Sequence, residues 1–132
     1  QLTYVDHDLD VLIDLGKWWN GRTPNWPMPL GGNVVRRDLG EDVMRDITKY
    51  TKMSIEHALK SPDEALEFAK AWGRGIDDDT NKEFVGMYVN DRTIDYKEDG
   101  RAAIRLFIKE GQHIGMIRND FDTATMRFIG EP

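Results

Sequence analysis

Cysteine is absent from the chain, which removes disulfides, thiol nucleophiles and thiolate metal sites together. Long apolar runs are absent as well: none approaches the ~18–20 residues of a membrane-spanning helix, and the opening residues do not read as a secretory signal. Basic charge is in deficit, with 18 Lys and Arg against 24 Asp and Glu and a formal net charge of −6. A general nucleic-acid binder needs the opposite balance to displace counterions from phosphates. Histidine is scarce too. His7, His57 and His113 stand far apart, none at helical metal-binding spacing from another. These absences fit a cytosolic protein without a metal centre.

What is present is ordinary for one folded domain: 132 residues, 39% apolar and 32% charged, enough to bury a core. The chain starts Gln1-Leu2-Thr3-Tyr4-Val5, without methionine and already in a β-like pattern. It reads as a piece of a longer protein. After the Asp6-His7-Asp8 turn, Leu9, Leu12, Ile13, Leu15, Trp18 and Trp19 recur at helical spacing. Asp8 or Asp10 is placed to cap that helix, and Gly21 with the run from Thr23 to Pro29 ends it.

A long amphipathic helix then follows from Asp38 through Leu59. Ser61-Pro62-Asp63-Glu64 starts another, with proline at the first helical position, and Gly73 or Gly75 stops it. Asp79-Thr80 opens a third helix ending near Asn90. Glu98 or Asp99 opens a fourth that closes at Gly111 or Gly115. Residues 120–132 read as a tail with one strand-like piece, Thr125 to Ile129.

The candidate chemistry is thin. Leu30-Gly31-Gly32-Asn33 lacks the strand before and helix after that a dinucleotide fingerprint needs. A tight turn with positive φ is one reading of the glycine pair. Close approach of a ligand or another lobe to bare backbone is the other. Arg36-Arg37 offers anion-binding forks but has Asp38, Glu41 and Asp42 nearby for surface pairing. Trp18, Trp19 and Trp26 suit either an aromatic platform or core packing. Adjacent Trp18 and Trp19 cannot share one helix face, so one of them is expected to be partly exposed.

His7 has carboxylates on both sides and otherwise reads as an exposed turn residue. Asp77-Asp78-Asp79 fails as a calcium loop, because Lys82 takes the glycine position and Tyr88 the bidentate glutamate. Neither Ser54 nor Ser61 has the glycines of a nucleophile elbow. No self-sufficient catalytic constellation emerges.

Several strings nevertheless occur in an order that resembles one family. They are Gln1-Leu2-Thr3-Tyr4, Asp14-Leu15-Gly16-Lys17-Trp18-Trp19, Pro27-Met28-Pro29-Leu30-Gly31-Gly32-Asn33 with Arg36-Arg37-Asp38-Leu39-Gly40, and Met87-Tyr88-Val89-Asn90. Across roughly residues 1–117 the chain resembles the C-terminal half of the 1,4-dihydroxy-6-naphthoate synthases, lyases of the futalosine route to menaquinone.

The resemblance implies an α/β fold, predominantly helical in this stretch. It would be part of a two-lobed, periplasmic-binding-protein-like (type II) architecture with substrate between the lobes. It also implies cleavage of cyclic de-hypoxanthine futalosine to 1,4-dihydroxy-6-naphthoate without a redox cofactor. The family's proton-accepting histidine lies in a His-Glu-Gly-Gln motif, of which Gln1 alone matches. The catalytic residue would therefore precede Gln1, leaving none in this chain and leaving it inactive by itself. Proton abstraction needs a base within hydrogen-bond reach of the substrate, and none is evident here.

On this reading residues 1–32 finish the smaller lobe and 33–37 form a crossing strand at the hinge. Residues 38–117 build the helical part of the larger lobe, and 118–132 are a tail. Gly31, Gly32 and Asn33 are the expected substrate-binding residues, at the hinge and cleft edge. The sister chorismate-dehydrating family shares the Leu-Gly-x-x-Trp helix but not the Leu-Gly-Gly-Asn string. A non-catalytic small-acid receptor with the same lobes, or a small helical partner-binding domain, are readings of another class. The implied partners are the substrate and the preceding half of the protein. Without that half, dimerisation or strand exchange through residues 1–37 is expected.

Overall fold

The computed structural model describes residues 4–72 and 77–130. Its helices are α1 (Leu15–Arg22), α2 (Glu41–Lys60), α3 (Pro62–Lys70), α4 (Asp78–Tyr88), α5 (Asp91–Ile94) and α6 (Lys97–His113). Short 3-10 turns occupy Val5–His7, Arg37–Leu39 and Thr123–Thr125. No strand occurs among the described residues. Contacts divide the chain into two units, Gln1–Asp14 with Tyr50–Asp95, and Leu15–Lys49 with Tyr96–Pro132. The boundary at residues 49 and 50 falls inside α2.

The unit formed by 15–49 and 96–132 holds the fully buried apolar side chains, Trp19, Met44 and Ala103. Trp19 of α1 is 1% exposed and meets Phe107 of α6 edge-on, with ring centroids 5.9 Å apart. Its neighbour Trp18 points the other way, 42% exposed, with the Arg22 guanidinium stacked 4.9 Å over its ring. Arg22 also pairs with Glu110 of α6 at 3.0 Å. One tryptophan thus serves the core and the other the surface, as expected for adjacent helical positions.

α6 ends in a Schellman motif. Gly115 takes φ +74, its N–H donates to Gln112 O, and the Met116 N–H reaches Gly111 O at 2.9 Å. Both bonds satisfy carbonyls that a helix end leaves orphaned. The chain then folds back. Gln112 Nε2 donates to the carbonyls of Arg118 and Phe121, each at 3.0 Å. Asp122 caps the Thr123–Thr125 turn, and Thr123 is buried. Arg127 forms a bidentate pair with Glu41 at the start of α2, at 2.7 and 2.9 Å. Gly130, at φ +87, lies against Thr48.

The unit formed by 1–14 and 50–95 has no fully buried apolar side chain among its described residues. Ile55, Ala58, Ala65, Leu66, Ala69, Val85 and Val89 are half-buried. α3 starts at Pro62, whose missing N–H costs nothing at that position. Lys70 at its end pairs with Asp78 at 2.9 Å and Glu67 at 3.1 Å. Asp77 caps α4, accepting from the Thr80 N–H at 2.9 Å and from the Thr80 hydroxyl. α5 carries a capping box made by Asn90 and Thr93.

Several expectations need correction. Val5 belongs to a 3-10 turn rather than a strand, and Gln1 to Thr3 lie outside the described residues. α1 starts at Leu15, not near Leu9, and continues through Gly21 to Arg22. Leu9, Val11, Leu12 and Ile13 remain exposed, so no packing rewards a helix there. Val34-Val35 has no ladder partner among the described residues and makes no strand, and Val34 is 98% exposed. Asp38 sits in the Arg37–Leu39 turn, paired with Arg36, and α2 begins after Gly40. Ser61 makes no side-chain cap. Thr125 ends a 3-10 turn, and 126–129 form no strand. The proposed stops at Gly73 and Gly75 lie outside the described residues.

Candidate functional site

The segment singled out by sequence is held at its entrance by α1. Trp19 Nε1 donates to Pro27 O at 3.1 Å. Thr23 Oγ1 donates to Trp19 O at 3.0 Å and accepts from the Trp26 N–H at 3.1 Å. Asn25 turns the chain at φ 59, a conformation asparagine tolerates better than most residues. Helix end, indole and proline run therefore lock together, and Trp26 to Pro29 are half-buried.

Beyond Pro29 the backbone emerges into solvent. Leu30, Gly31, Gly32, Asn33 and Val34 are all exposed. Neither Gly31 nor Gly32 has positive φ, so the tight-turn reading of this pair fails. A Cβ on Gly31 would meet nothing within 4 Å, and one on Gly32 would lie 3.6 Å from the Tyr96 hydroxyl. What distinguishes these positions is bare, accessible backbone beside a phenol. Tyr96 meets Phe128 edge-on at 6.0 Å. Arg105 stacks 4.9 Å from the Phe128 ring centre and donates to Met126 O at 3.2 Å.

Arg36 beside this strip is committed to Asp38. The Arg36 guanidinium holds the Asp38 carboxyl below its ordinary range, as expected of surface ion pairing. His7 and His57 belong to the other unit. His7 ends an exposed 3-10 turn, and His57 faces Glu64 at 3.8 Å on the surface. His113 lines a separate open groove of about 650 Å³ at the end of α6. That groove offers little free chemistry. Gln112 is spent on backbone carbonyls, Asp122 on the Ala124 N–H, and Asp120 on Arg118. Among the described residues, no group of three or more acidic or histidine side chains is placed to hold a metal. No described helix is long and apolar enough to cross a membrane.

Sequence reasoning missed the contribution of the tail. Phe128 and Arg127 lie after the last recognisable string, and only an aromatic and a basic residue in a polar tail hinted that this segment packs.

Comparison with known proteins follows the same outline. A family model described as menaquinone biosynthesis matches residues 1–113. The 1,4-dihydroxy-6-naphthoate synthase of Thermus thermophilus is 34% identical over 116 residues, covering 88% of this chain and 42% of that protein. The protein of the same name from Streptomyces coelicolor is 29% identical over 117 residues, covering 89% and 41%. A crystal structure of a protein from Archaeoglobus fulgidus superposes with a TM-score of 0.82 at 38% identity. It covers 89% of this chain and 44% of the other. The chain thus spans less than half the length of the relatives it matches.

Proposed function

The chain belongs to the menaquinone-biosynthesis family, and we propose that it is part of a 1,4-dihydroxy-6-naphthoate synthase. The family match over residues 1–113, with two relatives of that one name, carries the reading. The reaction is a carbon–carbon lyase step on cyclic de-hypoxanthine futalosine, run in the cytoplasm without a redox cofactor. The enzyme is two-lobed, of the periplasmic-binding-protein-like type.

Gly31, Gly32 and Asn33 form the cleft edge. The exposure of all three and the lack of bulk at Gly31 and Gly32 support this role, because backbone N–H and C=O groups without side chains can approach a planar polar substrate closely. Trp19 supports it too, by fixing where the strip begins. The proton-accepting histidine belongs to the preceding part of the enzyme. Residues 1–132 by themselves do not turn over.

The test is direct. The full-length protein carrying residues 1–132 is incubated with the cyclic substrate, and release of 1,4-dihydroxy-6-naphthoate is followed, with isolated 1–132 as control. Product from the full-length protein alone supports the reading. No product from it, with substrate binding retained, favours the receptor reading and removes the lyase assignment.

A further inference from the structure

The column of side chains behind the glycine strip ends in the tail, which follows the region matched by the family model. Its members all lie in the unit formed by 15–49 and 96–132. Phe128 sits between two others. On one side its ring meets Tyr96 edge-on at 6.0 Å. On the other, the Arg105 guanidinium lies 4.9 Å from its centre.

Arg105 is unusual within this column. Its Nε is buried and has no hydrogen-bond partner among the described residues, while Nη2 reaches Met126 O at 3.2 Å. A buried donor left unmet is uncommon and calls for a reason. Here the guanidinium gives up one hydrogen bond and gains a stacked position over the ring. That stacking fixes the plane of Phe128. An edge-on aromatic pair is directional as well as apolar, so a fixed Phe128 plane fixes the Tyr96 ring. The Tyr96 hydroxyl then stands where a Cβ on Gly32 would lie 3.6 Å away. Glycine leaves that approach open, and a larger residue at 32 would screen the phenol from anything lying along the strip.

We propose that Phe128 and Arg105 are positioning residues for the cleft edge at 31–33, acting through Tyr96, whose hydroxyl faces the strip beside Gly32. The proposal rests on the functional reading above and extends it: the tail, through Phe128, tunes substrate affinity. Because the column supports the edge of the cleft and offers no base, its effect belongs in binding common to ground and transition states. Such an effect raises KM and leaves kcat in place.

The experiment uses the full-length protein, steady-state kinetics with the cyclic substrate, and melting temperatures in parallel. Tyr96→Phe removes the hydroxyl and keeps the ring. Phe128→Leu keeps apolar volume and loses the edge-on and stacked contacts, and Phe128→Tyr restores the ring. Tyr96→Phe and Phe128→Leu should each raise KM about three- to tenfold with kcat near wild type. Phe128→Tyr should return KM to the wild-type value. If Phe128→Leu lowers only the melting temperature, and Tyr96→Phe leaves KM unmoved, the column is structural and the proposal is overturned. If the wild-type full-length protein gives no product at all, the functional reading fails first and takes this proposal with it.

Discussion

At the scale of single residues, the pair Trp18-Trp19 shows how one step along a helix separates two fates. Trp19 turns inward and satisfies its N–H on Pro27 O, whereas Trp18 turns outward under Arg22. A buried indole needs such a partner, because an unmet N–H costs more than the bond itself contributes. Trp19→Phe retains the ring against Phe107 and deletes that bond, leaving the Pro27 carbonyl unpaired. It should destabilise by about 1–2 kcal/mol, read from urea unfolding, and should loosen the Trp26–Asn33 segment to proteolysis. Unchanged unfolding and unchanged cleavage would show that the strip is held by something else. The sequence made a buried tryptophan legible, since tryptophan is buried on average. Which of the two turns inward depends on the phase of α1, which starts at Leu15 rather than near Leu9.

At the scale of elements, legibility tracked local signals. α2, α3, α4 and α6 were readable because apolar periodicity, Pro62 and acidic first turns all act within a few residues. α5 was readable in principle from Asn90 and Thr93, whose spacing makes a capping box. The strands expected at 33–37 and 125–129 failed for a nonlocal reason: β-formers make a strand only when another strand accepts their hydrogen bonds. The candidate strip was singled out by its glycine pair and by resemblance, whereas its backing by Tyr96, Phe128 and Arg105 was not legible at all. Those residues lie 63 to 95 positions beyond Asn33 and after every quoted string, and only folding brings them together.

The tail is tied back to α2 by Arg127 and Glu41, and this gives an element-scale prediction. The Arg127 hydrogen bonds hold the Glu41 carboxyl below its ordinary range. A lowered folded-state pKa contributes stability above the unfolded value and loses it as pH falls through the folded one. Glu41→Gln should therefore melt lower than wild type at pH 7, and the gap should close as pH drops below about 4. Thermal melts of both proteins at pH 7 and pH 3 decide it. A gap of constant size would mean that the pair contributes packing and not charge.

At the scale of the whole molecule, what matters is how much apolar surface the chain leaves uncovered. Leu12 is 97% exposed and Val34 98%, and Leu9, Val11, Ile13 and Leu30 are each more than half exposed. Isolated exposed apolar residues are common, but Leu9 with the consecutive Val11, Leu12 and Ile13 forms a surface that water disfavours. The relatives more than double the length of this chain, so in the proposed enzyme further polypeptide is available to cover these positions. The isolated 132-residue chain should then self-associate at micromolar concentration, seen as a rising apparent mass in light scattering. Leu12→Lys and Val34→Lys should each suppress that association by placing charge on the exposed surface. In the full-length protein the same substitutions should act with the opposite sign, lowering the melting temperature by burying an unpaired ammonium. A clean monomer from the isolated chain at every concentration would refute self-association. Full-length variants that melt like wild type would show that these positions face solvent in the enzyme too.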